Sequence, residues 1–269
     1  MKKITYFGIP GSNSFLAAYK MFSTTAKFIS KNSVFDCVNS VSADLADFSV
    51  IPLENSLTGS LADSYDALRE SNVSIVAEII LQIHHHFLAG GISAIKNCYS
   101  HPQAFNQCRN FFIKNPQLKQ IPAFDTASAA KIVSEKKNSA AVANALAAKI
   151  YKLKILKKNI EDNKANFSRF IVIGKNQNKN GNKISLLFKV SHKPGSLFSA
   201  LSPYKKLGLN LSKIESRPIA GSPWEYIFIL DFELSAAKFK LQHLLSLMKK
   251  QVIYLKILGR YNKGKVYET

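Results

Sequence analysis

The sequence is short of several things, and each shortage removes a class of protein. It has three cysteines, Cys37, Cys98 and Cys108, which form no CxxC pair and leave one over under any pairing. That argues against a disulfide framework or a cysteine-based zinc site and suits thiols kept reduced in a cytoplasm. No apolar run approaches the roughly 18 residues of a membrane span. Residues 1–8 pass straight into an apolar strand, without a signal-peptide core or a Ser/Arg-rich transit segment. A soluble, cytoplasmic protein is expected.

Arginine is also scarce. Arg69, Arg109, Arg169, Arg217 and Arg260 are the only five among 37 basic residues, which leaves 32 lysines and a net charge of +20. A nucleic-acid-binding protein concentrates its charge and uses arginine for bidentate phosphate and base contacts. Here the lysines are scattered beside asparagines, as on solvated faces, and no nucleic-acid partner is expected. Such a protein would still attract a small dianion.

Against these shortages stand 46% hydrophobic and 11% aromatic residues over 269 positions, enough for one large domain or two. Residues 4–7 read as a strand, 8–14 as a Gly turn and 15–22 as a helix, an arrangement whose first-turn amides suit an anion. Residues 49–53 read as a second strand. They lead through Glu54-Asn55-Ser56 into a helix bearing Leu57, Leu61, Tyr65 and Leu68, with Ser56 or Thr58 as its cap. Residues 73–81 read as a strand. His84-His85-His86 invites a metal reading, but successive residues on a strand face opposite ways and cannot converge on one ion. No metal is expected there, and a single functional contact from the middle histidine is.

Pro102 opens a helix running to Phe112. Thr126 caps an alanine-rich helix over 127–133, residues 139–142 form a strand, and 144–151 another helix. Asn166-Phe167-Ser168-Arg169-Phe170 then sets a hydroxyl and a guanidinium at the start of a buried strand. Taken alone, that pair is an ordinary strand edge. Alternating strands and helices across 1–174 predict an α/β domain with a mostly parallel sheet, whose strand-end polar residues, Ser168 and Arg169 included, face one cleft. Residues 175–183, KNQNKNGNK, read as a linker. Beyond it, strands at 184–190, 209–216, 224–233 and 252–258, with helices at 196–207 and from about Ala236 to Lys249, predict a ferredoxin-like βαββαβ unit. Its sheet edge favours pairing with another copy.

Together these stretches resemble the prephenate dehydratase family, including the closely similar arogenate dehydratases. The resemblance spans almost the whole chain. It rests on Gly8-x-Pro10-Gly11-x-x-Ser14, Pro52-Leu53-Glu54-Asn55-Ser56-x-x-Gly59-Ser60, and His85 in Ile83-x-His85-x-x-Leu88. It continues with His101-Pro102-Gln103-Ala104-x-x-Gln107-Cys108, Asp125-Thr126-Ala127-x-Ala129-Ala130 and Asn166-x-Ser168-Arg169-Phe170. C-terminal marks are Lys193-Pro194-Gly195-Ser196-Leu197, Leu209-Asn210-Leu211-x-Lys213-Ile214-Glu215-Ser216-Arg217-Pro218 and Asp231-Phe232-Glu233.

The resemblance implies a catalytic domain of two α/β lobes (1–174), similar to periplasmic binding proteins, a linker (175–183) and an ACT regulatory domain (184–262). It implies loss of CO₂ and water from prephenate, giving phenylpyruvate, without metal or organic cofactor. Ser168, Arg169 and Phe170 stand where the family has Thr-Arg-Phe, so Ser168 would supply the proton-donating hydroxyl and Arg169 would orient a carboxylate. Serine keeps the hydroxyl but lacks the methyl that stiffens χ1. Ser12-Asn13 also departs from the family's first turn, where Thr or Ala precedes an aromatic residue. Ser14, Glu54, Asn55, Ser56, His85 and Thr126 would contact substrate. Gly195, Ser196, Leu197, Asn210, Glu215, Ser216 and Arg217 would bind phenylalanine as a feedback effector between two ACT domains of a homodimer or homotetramer. Arogenate as substrate, giving phenylalanine directly, is the alternative within the class, and a non-catalytic amino-acid sensor the alternative outside it.

Overall fold

The structure, a computed structural model, describes residues 1–91, 94–178, 180–219, 221–234 and 241–269, with only the backbone of Thr24 and Pro223. Apolar runs and amphipathic helices alternate at the start as β1 (Lys2–Phe7), α1 (Asn13–Phe22), β2 (Ala26–Lys31), α2 (Val34–Ser42) and β3 (Phe48–Asn55). The short β4 (Gly59–Ser60), α3 (Ala62–Glu70) and β5 (Ser74–Gln82) complete this part of the first lobe. The helix expected directly after Ser56 starts later. Gly59–Ser60 folds back to pair with Glu54 and Asn55, and α3 opens at Ala62 without a side-chain cap from Ser56 or Thr58.

The chain then crosses to a second lobe, through β6 (His86–Ala89), β7 (Asn97–Ser100), α4 (Pro102–Gln107), α5 (Arg109–Ile113) and β8 (Lys119–Pro122). This lobe ends with α6 (Thr126–Ser134), β9 (Ser139–Ala143), α7 (Ala145–Ile150) and β10 (Lys154–Lys157), and its sheet runs β10-β6-β9-β7-β8. The chain returns as β11 (Phe167–Gly174), which inserts between β3 and β5, antiparallel to both. The sheets are therefore mixed rather than mostly parallel. β1 is parallel to β2 and β3, but the returning strand enters from the other lobe and runs the opposite way.

The C-terminal unit comprises β12 (Lys183–Lys189), α8 (Ser196–Lys206), β13 (Leu211–Ile219), β14 (Ser222–Glu233), α9 (Leu241–Lys249) and β15 (Tyr254–Tyr261). It has the expected βαββαβ order and an antiparallel sheet β13-β14-β12-β15. The proposed helix start at Ala236 lies outside the described residues. A last strand, β16 (Val266–Glu268), runs parallel to β5. One face of the unit's sheet carries α8 and α9, with Phe188, Tyr204, Phe232, Leu244 and Met248 between them. Its other face places Leu187, Ile227, Ile229 and Leu258 against α2, α3 and β3 of the first lobe. At the seam β15 meets β5 through Gly259 and Ile75, and a Cβ on Gly259 would lie 2.1 Å from the Ile75 carbonyl oxygen. Glycine is required there by approach, not by φ.

Strand β11 belongs to both sides of this sandwich. By the period-two rule, Phe170 and Val172 join the core under α1, whereas Ile171 and Ile173 join the core shared with the C-terminal unit. Arg169 has the parity of the second set. Its side chain is 6% exposed and its guanidinium meets Glu78 (2.7 Å), Asp231 (2.6 Å), Glu54 (3.1 Å) and the Tyr261 hydroxyl (2.7 Å). Lys183, placed in the linker by sequence, instead opens β12 with a buried side chain 3.0 Å from Glu78. Asp231 and Tyr261 come from the C-terminal unit and Glu54 and Glu78 from the first lobe, so the arginine joins the two.

Burial, the largest influence, works to raise the Glu54 and Glu78 carboxyls, but the facing cations hold both below the ordinary glutamate range. A carboxyl lowered by folding stabilises the fold fully above its unfolded value, about 4.3, and loses that contribution as pH falls through its folded value. The junction is therefore expected to weaken on acidification below about pH 4.3. Melting wild type and Glu78→Gln across pH 3–7 checks this, with the shallower pH dependence in the variant. Arg169→Met leaves the buried Asp231 carboxylate without its cation and is expected to destabilise the fold by about 3–5 kcal/mol in chemical denaturation. Arg169→Lys is expected to recover little of that loss, because one ammonium cannot reproduce a planar fork.

Candidate active site

The lobes are joined by two adjacent crossings. The Ile83 amide donates to the Asn166 carbonyl (2.7 Å), and the Ile160 amide to the His85 carbonyl (2.8 Å). Above them lies a cleft of about 440 Å³, lined from both lobes. The local chemistry of its walls comes from helix starts. Ser12 caps α1, its Oγ accepting from the Phe15 amide (3.2 Å), which sets Asn13 and Ser14 at the cleft. Asp125, not Thr126, caps α6 by accepting from the Ser128 amide (2.5 Å), and Thr126 is the first helical residue. The first turn of α1 thus meets the cavity with its positive end, an arrangement suited to a carboxylate, whereas the first turn of α6 is already met by the Asp125 carboxylate. Neither lysine nor arginine is among the described residues lining it.

The deep wall is a directional hydrogen-bond chain. The backbone amides of Leu57 (3.0 Å) and Thr58 (3.2 Å) donate to Asn55 Oδ1, so the other side of that amide must be Nδ2. Asn55 Nδ2 then donates to Asn166 Oδ1 (2.7 Å) and to Ser168 Oγ (3.0 Å). This orients Asn166, whose Nδ2 donates to Gln107 Oε1 (3.1 Å). His85 Nε2 meets the same oxygen at 2.8 Å and must donate, which identifies the ring as the Nε2–H tautomer. Burial, the main influence, lowers the His85 pKa and keeps the ring neutral. Two backbone amides thus fix the polarity of the whole wall. Ser168 Oγ accepts from Asn55 and has no acceptor of its own among the described residues, so its proton remains available. Gln107 Nε2 has no partner among those residues either.

The three histidines make different contacts, and only His86 lies in a strand; His84 and His85 belong to the crossing between β5 and β6. His84 Nδ1 bonds Glu161 (2.7 Å), the His85 amide donates to the same carboxylate (2.9 Å), and His86 Nδ1 accepts from the Asn159 amide (3.1 Å). Among the described residues no cluster of His, Cys, Asp and Glu has the makings of a metal site.

Of the residues expected at the site, Ser14, Glu54, Asn55, His85, Thr126, Ser168 and Phe170 line this one cleft. Ser56 does not: its hydroxyl accepts from the Phe167 amide (2.9 Å) and donates to the Ala165 carbonyl (3.0 Å), stapling β3 to the start of β11. Arg169 does not either, since its neighbours Ser168 and Phe170 take the cleft face and leave it the opposite one. Gly195 (φ +76°), Ser196 and Leu197 start α8. Glu215 and Arg217, by contrast, turn to the first lobe, with Ser60 Oγ donating to Glu215 (2.5 Å) and Arg217 to the Ala62 carbonyl (2.8 Å). Asn210 and Ser216 are exposed. Sequence reasoning left Gln107, Asp125, Asn166 and Lys213 out of the site. Asp125 was recognisable as a cap from its side-chain type and the three-residue offset to Ser128; the others are placed by contacts distant in sequence.

Residues 4–178 match the profile of the prephenate dehydratase family. The bifunctional chorismate mutase/prephenate dehydratase of Aquifex aeolicus is 36% identical over 271 residues, covering 99% of this chain and 75% of that protein. Prephenate dehydratase from Arthrobacter aurescens, solved in complex with L-Phe, superposes with a TM-score of 0.87 at 26% identity, over 97% of this chain and 90% of that one. GqqA, described as a novel type of quorum-quenching acylase, superposes with a TM-score of 0.85 at 29% identity, over 97% of both chains. With its cleft walls drawn from the matched segment, the chain belongs to the prephenate dehydratase family.

Proposed function

We propose that the protein is a prephenate dehydratase acting through Ser168. Prephenate is a dianion whose ring becomes aromatic once its ring carboxylate and hydroxyl leave, so much of the driving force resides in the substrate. The carbon–carboxylate bond breaks to release CO₂, and its electron pair moves through the ring. The carbon–oxygen bond then breaks, and the hydroxyl leaves as water after accepting a proton. One proton is consumed overall. Ser168 passes it to the leaving oxygen and regains it from solvent.

The observation that carries this reading is the direction of the hydrogen-bond chain. Asn55 occupies a lone pair of Ser168 Oγ and leaves the O–H to point at a ligand, the geometry of a donor. The amide-rich start of α1 supplies contacts for a carboxylate. Neutral His85 and Gln107 complete a wall that adds no charge of its own. An acylase reading in the manner of GqqA would need Ser168 as a nucleophile with a base within hydrogen-bond reach. Asn55 Nδ2 is a donor, which favours proton donation over nucleophilic attack. The arogenate alternative keeps the same ring chemistry and differs only in an amine for the keto group. For the C-terminal unit the reading is an ACT regulatory domain that senses phenylalanine, supported by its βαββαβ order and by the L-Phe complex of the Arthrobacter aurescens enzyme.

Purified protein offered prephenate and arogenate side by side is expected to form phenylpyruvate from prephenate; phenylalanine from arogenate alone would transfer the assignment to the alternative. Ser168→Ala is expected to lower kcat roughly 10²–10⁴-fold, while Ser168→Thr stays active. Asn55→Asp, which keeps the shape but turns a donor into an acceptor, is expected to cut kcat by about 10²-fold with the fold intact. Unchanged turnover in both Ser168→Ala and Asn55→Asp would remove the proposed donor. Saturating phenylalanine is expected to raise the apparent KM about 5–150-fold, the span of a typical coupling energy; unchanged kinetics would refute the sensing role.

A further inference from the structure

Lys213 stands outside the groups that sequence reasoning assigned to either site. It lies on β13, the edge strand of the C-terminal unit, yet its ammonium meets Glu54 Oε2 (2.6 Å) and Ser60 Oγ (2.8 Å) on the first lobe. Both partners line the cleft. It also lies 3.0 Å from Glu215, whose carboxylate accepts from the same Ser60 hydroxyl. The Lys213 side chain is 16% exposed and that of Glu54 27%, so solvent screens the pair only in part.

The charge count shows why this lysine matters to the cleft. Arg169 is shared among Glu54, Glu78 and Asp231, and Lys183 serves Glu78. Those three carboxylates thus face two cations, and Glu215 beside Lys213 adds a fourth carboxylate to the same group. Without Lys213 these four carboxylates exceed their two cations by two, and Glu54 is the member of the group that reaches the cleft. Asp125 already brings one carboxylate to the cleft, and an uncompensated Glu54 would add a second that opposes the entry of a dianion.

We propose that Lys213 is a positioning residue of the catalytic cleft, supplied by the C-terminal unit, which neutralises Glu54 and fixes Ser60 so that a dicarboxylate substrate is admitted. This rests on the dianionic substrate of the proposed function. It makes the C-terminal unit part of the condition for substrate binding even before any effector is present. Displacing β13 from β3 would weaken substrate affinity through charge, without touching Ser168.

The test compares wild type, Lys213→Met, Lys213→Arg and Lys213→Met/Glu54→Gln, with melting curves to confirm folding. Lys213→Met is expected to raise the KM for prephenate about tenfold and change kcat less than about threefold. Its KM should fall as salt is raised, because screening relieves repulsion. Lys213→Arg and the double variant are expected to recover most of the KM. Calorimetric binding of phenylsuccinate, a non-reacting aromatic dicarboxylate, should weaken and recover in the same order. An unchanged KM in Lys213→Met, or a loss that salt and the double variant leave untouched, would overturn the proposal. Wild type that binds phenylsuccinate but turns over neither prephenate nor arogenate would sink the dehydratase reading alone, with the binding series still deciding the role of Lys213. Wild type that does neither would sink both.

Discussion

The fold depends on one strand having two faces and on what each face must satisfy. β11 returns from the second lobe, enters the centre of the first, and presents alternate residues to opposite environments. Ser168 and Phe170 meet a polar cleft, and Arg169 meets a buried set of carboxylates. Neither environment is optional. A guanidinium almost wholly removed from water is tolerable only with anionic partners and hydrogen bonds for its fork. Those partners are drawn from the first lobe and from the C-terminal unit together. The residue that secures the domain junction is therefore covalent neighbour to the proposed proton donor.

This adjacency accounts for features that would otherwise look separate. Glu54 is a cleft residue and a junction residue at once, accepting from Arg169 and from Lys213. Asn55, its neighbour, faces the other way and anchors the amide chain that orients Ser168. The two successive residues of β3 thus mirror the two successive residues of β11, with which they are paired in register. A charge network and a neutral network run side by side, one strand pair wide. The neutral one fixes the direction of a proton, and the charged one fixes the background against which a dianion approaches.

Much of this was readable from sequence, for reasons that also mark where reading stops. Strand and helix order, the βαββαβ unit and the family rested on local pattern and short motifs, which do not require knowing what touches what. Strand alternation applies to Ser168 and Arg169, where it separates the pair; His84 and His85 fall in the crossing between β5 and β6, where it does not apply. Ser56 lies outside the cleft because its hydroxyl is engaged by Ala165 and Phe167, more than 100 positions away, contacts with no local signature. Lys183 looked like linker because its composition matches its lysine- and asparagine-rich neighbours, yet a distant carboxylate, Glu78, makes it core. Glu215 and Arg217 were assigned by motif to an effector site, and their side chains are engaged by Ser60 and Ala62, more than 150 positions away.

The close approach at Gly259 and Ile75 has a mechanical meaning. Where two domains meet through a layer of side chains, they can slide by exchanging rotamers, as packed helices do in shear motions. Here the side-chain layer against α2 and α3 is joined at one edge by backbone lying against backbone, with no room even for one methyl group. The C-terminal sheet is grafted onto that of the first lobe, and sliding is barred. What remains is torsion, a change in the twist of one continuous surface. β5 is the strand at the graft and β11 is next to it, so a torque applied at the far edge would turn the strand that carries Ser168.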